Sequence, residues 1–138
     1  MSTHKTVQIT NQRNQIDTVR KLFDDYSKEN KLTEKTSHDI QMALDELLTN
    51  IVSYGYEDTD EHWIDVHFGI DDSALTVEII DDSKPYNILE RDDPDLSLSM
   101  EDKPIGGLGV FLIKKLMSSV DYYTKEGENH LVMTKELE

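Results

Sequence analysis

The chain has 138 residues, enough for one domain with its own core and short for two. With 14 Lys and Arg against 29 Asp and Glu it carries a formal charge of −15, the wrong sign for gripping nucleic acid or anionic lipid directly. It has no cysteine, which excludes disulfide scaffolds and thiol chemistry, and neither a membrane-length apolar run nor a signal-peptide core, so a cytoplasmic single domain over residues 1–138 is expected.

In chain order, residues 5–10 alternate with Val7 and Ile9 on one side and read as a strand. Ile16, Val19, Leu22, Phe23 and Tyr26 fall at helical spacing over residues 14–30. Thr33 is the expected N-cap of the next helix, whose apolar stripe is the clearest in the chain: Ile40, Ala43, Leu44, Leu47, Leu48, Ile51 and Val52. That helix is expected to end near Gly55 in a left-handed cap. Ile64, Val66, Phe68 and Ile70 then alternate, Asp71, Asp72 and Ser73 turn the chain, and Leu75, Val77 and Ile79 alternate again, as in an antiparallel hairpin. Residues 92–104 contain two prolines and no periodicity and read as a functional loop. A glycine-rich GGLG segment at residues 106–109 opens a helix with Val110, Ile113, Leu116 and Met117 on one face. Two final strands, residues 120–124 and 131–135, join through Gly127. The element order predicts an α+β two-layer sandwich, a mixed and mostly antiparallel sheet with helices on one face.

Three features bear on chemistry. Asp39, Ala43, Glu46, Asn50 and Tyr54 form a second stripe beside the apolar one, and Glu46 and Asn50 stand one turn apart. A carboxylate beside an amide oxygen suits a hard cation, or a base next to a metal ligand; a solvated Glu and Asn would look the same. Asp81 ends a strand and is followed by Asp82 and Ser83, where it serves either to face a pocket or to start a turn. The glycines at 106, 107 and 109 let backbone N–H groups approach an anion at a helix N-terminus, without the P-loop or Rossmann pattern. Between Thr36 and Ser83 there are 13 acidic residues and no Lys or Arg, either a solvated acidic face or a place where a cation restores balance. The five histidines show no metal-ligand spacing.

Taken in order, Glu46-x-x-x-Asn50, Asp81-x-Ser83, the loop and Gly107-x-Gly109 resemble the GHKL (Bergerat-fold) ATPase superfamily. Within it the chain is most similar to the bacterial anti-sigma factor serine/threonine kinase family. Residues 43–56, ALDELLTNIVSYGY, resemble that family's N box; residues 81–87, DDSKPYN, its Asp-Asp-Gly-x-Pro-Phe-Asp segment; residues 106–120 its glycine box and following helix. The resemblance implies ATP and Mg2+ as cofactors. Glu46 would be the general base, Asn50 the magnesium ligand, and Asp81, with Ser83 beside it, the adenine contact. Gly107 and Gly109 would cradle phosphate, with Gly106, Leu108 and Val110 as further nucleotide contacts and residues 92–105 as the ATP lid. It also implies a homodimer acting on a serine or threonine of an anti-anti-sigma (antagonist) domain and sequestering a sigma factor.

The chain departs from the family pattern in places. Ser83 stands for the usual glycine and Tyr86 for phenylalanine. The lid is acidic, leaving Lys103 as its candidate phosphate contact, and Asn129 and His130 fall where relatives place threonines near the adenine. An alternative reading is therefore a binding module with weak or no phosphoryl transfer. An ATPase switch of the gyrase or chaperone type and an autophosphorylating histidine kinase fit less well, since the first usually brings further domains and the second a long His-bearing helix.

Overall fold

The computed structural model describes residues 3–85 and 107–137, the side chains of 107–109 excepted. Strand β1 (His4–Thr10) leads through a single 3-10 turn into helix α1 (Ile16–Glu29), followed by α2 (Glu34–Tyr54). Strands β2 (Trp63–Asp71) and β3 (Ala74–Asp81) form a hairpin, and α3 (Gly107–Leu116) precedes a second hairpin of β4 (Ser119–Lys125) and β5 (Glu128–Glu136). The sheet runs β1-β2-β3-β5-β4. The expected mixed sheet is antiparallel in every pairing of these strands. The long connection through α3 carries β4 past β5 to the sheet edge, so β4 runs in the direction of β3 without touching it.

The alternation read from the sequence sets the two faces of the sheet. Ile64, Val66, Phe68, Leu75, Val77, Ile79, Leu131 and Met133 point to the helices and are buried. Asp65, His67, Glu78 and His130 occupy the other face. Against the inner face, α1 lays Ile16, Val19, Phe23 and Tyr26, and α2 lays Ile40, Ala43, Leu44, Leu47 and Leu48. Phe23, Tyr26 and Phe68 make one aromatic cluster, with centroids 5.3 to 6.1 Å apart. Val110 and Ile113 bring α3 into the same core, and Met117 follows it there just past the helix end.

Local chemistry closes each element. Thr33 caps α2 as expected, its hydroxyl accepting from Thr36 N at 3.1 Å. Helix α1 ends with Lys31 in the left-handed region (φ 55°), while Leu32 N and Lys31 N bond back to Ser27 O and Lys28 O. Asp72 and Ser73 (φ 50° and 64°) and Glu126 and Gly127 (φ 53° and 81°) supply the two positive φ values that tight hairpin turns need. Gly55 does not take the left-handed cap: its φ is −78° and its N–H bonds Ile51 O at 2.9 Å. Space is what it provides instead, since a Cβ there would come 2.7 Å from Ser83 Cβ.

Asp39, at the start of the polar stripe of α2, is a structural residue. It is buried, and it pairs with Lys35 at 3.0 Å and Lys135 at 3.3 Å. Lys135 also donates to Leu116 O at 2.6 Å, so one lysine ties α2, α3 and β5. Burial works to raise the Asp39 carboxyl, but the two lysines outweigh it and hold it below the usual carboxylate range.

Candidate functional site

The far end of α2 carries Glu46 and Asn50, both half-buried at the edge of the apolar stripe. Asn50 Nδ2 donates to Glu46 Oε1 at 3.3 Å. That contact fixes the amide so that its hydrogens face the carboxylate, leaving Asn50 Oδ1 and Glu46 Oε2 to act elsewhere. Tyr54, next on the stripe, is exposed.

A second group forms where β3 ends. Asp81 lies in register with Asn129 of β5, and both are only 6% exposed. Asp81 Oδ1 accepts from Ser83 N at 2.9 Å, from Ser83 Oγ, and from Asn129 Nδ2 at 3.0 Å. Asn129 Nδ2 also reaches Ser83 O at 2.8 Å, and Tyr122 OH donates to Asn129 Oδ1 at 2.8 Å. Ser83 does not adopt a positive φ, so serine fits here without the strain that a glycine-requiring position would impose.

The two groups are joined at the end of α2. Lys84 N donates to Gly55 O at 2.9 Å and Ser83 packs on Gly55. Asn50 and Glu46 precede Gly55 by five and nine residues, so along the helix they stand about 7.5 and 13.5 Å from that contact. The arrangement has one end built around a buried carboxylate and another built around a half-buried carboxylate–amide pair.

Beside Asp81 lies a cluster that the sequence reading missed. His62 Nε2 sits 2.8 Å from Asp58 Oδ1 and Nδ1 sits 3.1 Å from Asp82 Oδ2, so the ring bridges two carboxylates. Tyr56 stacks on it at 4.1 Å between centroids and donates to Asp82 Oδ1 at 3.1 Å. The hydrogen bond to Asp58, then that to Asp82, raises the His62 pKa above its ordinary value. Burial, then the charges of Asp81 and Asp82, push the Tyr56 hydroxyl well up. The histidine was legible as a residue and Asp58 and Tyr56 lie on its own loop, but Asp82 comes from the turn after β3, and spacing along the chain carries no trace of that contact.

A cleft of about 540 Å³ opens next to this turn, lined by Asp82, Ser83, Lys84, Pro85, Asn129 and the β4–β5 turn. Of the glycine-box residues, Gly107, Leu108 and Gly109 open α3, while Val110 has its side chain in the core, so only its backbone is left to meet a ligand. Gly106, Lys103, Tyr86 and the lid at 92–105 lie outside the described residues.

The family model described as Histidine kinase-like ATPase domain matches residues 9–135. The chain belongs to that family. Among relatives of this histidine kinase-like ATPase domain, the Serine-protein kinase RsbW of Listeria monocytogenes serotype 4a (strain HCC23) is 33% identical over 101 residues, 70% of this chain and 64% of that one. The Serine/threonine-protein kinase BtrW of Bordetella bronchiseptica (strain ATCC BAA-588 / NCTC 13252 / RB50) is 29% identical over 97 residues, 69% and 67% of the two chains. The domain thus spans just under two thirds of the RsbW length it matches. In the crystal structure of the RsbU and RsbW domains of Rv1364c from Mycobacterium tuberculosis, a similar fold covers 99% of this chain and 32% of that one, with a TM-score of 0.69 at 18% identity.

The donor set suits magnesium held jointly with a phosphate ligand. Among the described residues no cluster of three or more His, Cys, Asp or Glu forms a cage. Asn50 Oδ1 and the Glu46 carboxylate are hard oxygen donors, and magnesium characteristically takes one or two protein oxygens and leaves the rest to phosphates and water. No described helix is long and apolar enough to cross a membrane.

Proposed function

We propose that this histidine kinase-like ATPase domain is an ATP-dependent serine/threonine protein kinase that acts as an anti-sigma factor. It would phosphorylate an antagonist domain and sequester a sigma factor as a homodimer. The observation that carries the reading is the Asn50–Glu46 contact at 3.3 Å, which aims one amide oxygen and one carboxylate oxygen away from each other's bond. Kinase names among the relatives support the activity class.

On this reading Asp81 takes the exocyclic amine of adenine, and the N-terminus of α3, whose first-turn N–H groups have no partner within the helix, faces phosphate. Asn50 Oδ1 would hold magnesium, which when bound neutralises phosphate charge. Glu46 Oε2 accepts the proton of the attacking serine or threonine hydroxyl, while Oε1 stays anchored to Asn50. The whole of residues 1–138 acts as one unit, with 92–105 as its lid.

Calorimetric titration with ATP, with and without magnesium and with GTP as control, tests the site. Magnesium-dependent binding selective for ATP is expected. Glu46→Gln should abolish transfer to an antagonist domain while leaving ATP affinity within about threefold, and Asn50→Ala should remove the magnesium dependence. Full transfer by Glu46→Gln would overturn the base assignment. Absence of binding at millimolar nucleotide would leave the chain as a sequestering module.

A further inference from the structure

His62 stands in the loop between α2 and β2 and reaches Asp82 in the turn after β3, 20 residues further along the chain. Its backbone is fixed from a third side: His62 N donates to Asn11 Oδ1 at 3.1 Å, and Asn11 N donates to His62 O at 3.1 Å. The side chain is only 18% exposed, so water competes weakly for its nitrogens.

Both ring nitrogens face the same kind of partner. Nε2 lies 2.8 Å from Asp58 Oδ1 and Nδ1 lies 3.1 Å from Asp82 Oδ2. An ionised carboxylate only accepts, and a neutral imidazole has one N–H to give, so only the imidazolium satisfies both contacts. Loss of the proton leaves one nitrogen lone pair against a carboxylate. The remaining N–H goes to Asp58, which is nearer and already anchored by Asp60 N at 2.9 Å, and the contact that fails is the one between elements. Facing the ring are Asp58 and Tyr56 from its own loop and Asp82 from the turn, while Asn11 on the third side carries no charge. Beyond them lie the Lys84–Glu57 pair at 3.6 Å and Asp81. Burial, then Asp81 and Asp82, keep the Tyr56 hydroxyl protonated.

We infer that His62 is a proton-operated clasp: charged, it binds the turn after β3 to the loop after α2, and neutral, it lets that turn go. Residues Asp82 to Pro85 line one side of the cleft of about 540 Å³, so the proton sets both the fit of that wall and its charge. With His62 charged, Asp82 is neutralised and held at both oxygens, by the ring and by Tyr56 OH at 3.1 Å. With His62 neutral, an uncompensated carboxylate stands at the edge of the cleft and disfavours an anionic occupant. Hydrogen bonds to Asp58 and then Asp82 raise the ring above its ordinary value, which puts the release on the alkaline side of 6.5.

Lys84 N–H, bonded to Gly55 O at 2.9 Å across the same junction, reports the state of the clasp. Its exchange with solvent, divided by the unstructured rate at each pH, is followed by NMR on the full-length protein together with the His62 ring shifts. Protection of Lys84 should fall by about threefold or more as His62 loses its proton, with the same midpoint, while Val77 in the middle of β3 keeps its protection. His62→Gln should remove this pH dependence. Asp82→Asn supplies an N–H that the neutral ring can accept, so it should hold the turn above the midpoint where the wild type releases it. It also serves if the glutamine variant does not fold.

Constant protection of Lys84 through the His62 titration would overturn the inference, as would a fall shared by Val77, which marks loss of the whole fold. A fall that persists in His62→Gln overturns it by assigning the proton elsewhere. Release in Asp82→Asn at the wild-type midpoint overturns it by assigning the contact elsewhere. The measurement needs no nucleotide, so its outcome is independent of the proposed activity.

Discussion

At the scale of single residues, Gly55 shows how a position acquires its identity from a neighbour remote in sequence. A glycine one residue past a helix reads as a left-handed cap, but here the backbone stays right-handed and the missing Cβ makes room for Ser83. Gly55→Ala would place a methyl 2.7 Å from Ser83 Cβ and 2.6 Å from Ile51 O. Such crowding costs about 1–3 kcal/mol, and thermal denaturation should show it. The same change in a Ser83→Gly background should cost less, by an amount equal to the Ser83 share of the clash, with the Ile51 contact remaining. Equal cost in both backgrounds would place the whole penalty on Ile51 O. A single sequence offers no signal for this coupling, because 28 residues separate the two positions.

At the scale of elements, the regular pieces were legible and the ties between them were not. Periodicity placed α2, both hairpins and the Thr33 cap, because each of those features is decided within a few residues. The Asp39–Lys135 pair, the Asp81–Asn129 bridge and the His62 cluster depend on which strand lies beside which, and local pattern is silent on that. For the candidate site, Glu46 and Asn50 were readable as a pair one turn apart and Asp81 by its type, whereas Asn129, the partner of Asp81 across the sheet, was not. The cluster has a pH signature. Facing the His62 ring are Asp58 from its own loop, Asp82 from the turn after β3 and the Tyr56 ring, and the two carboxylates favour the imidazolium. With its folded pKa above the unfolded value near 6.5, the stabilising contribution of His62 is full below pH 6.5 and is lost as pH rises through the raised value. Ring resonances of His62 followed by NMR should titrate above 6.5, and Asp58→Asn should bring the midpoint down. A midpoint at or below 6.5 in the wild type would show that the loop and the turn are not clasped by charge.

At the scale of the whole molecule, a net charge of −15 acts against compaction. The surface pairs that oppose it, such as Lys28 with Asp24 and Lys84 with Glu57, are exposed and contribute little. Salt screens both, and the uncompensated repulsion is the larger quantity. Raising sodium chloride from 0.05 to 0.5 M should therefore stabilise the fold by about 1 kcal/mol, raising the melting temperature by about 4 °C for a chain of this size. A fall in melting temperature would mean that the ion pairs dominate.

The pairing of β3 with β5 has a kinetic side. Asp81 and Asn129 are 48 residues apart, and the two hairpins on which they sit can each form alone before meeting. Closing so long a loop is slow, and the Asp81–Asn129 end of the candidate site does not exist until it is closed. A ligand gripping Asp81 thus has nothing to hold in a half-assembled chain. It would leave the folding rate unchanged and act by slowing unfolding, so that nucleotide occupancy would lengthen the lifetime of the finished sheet without hastening its birth.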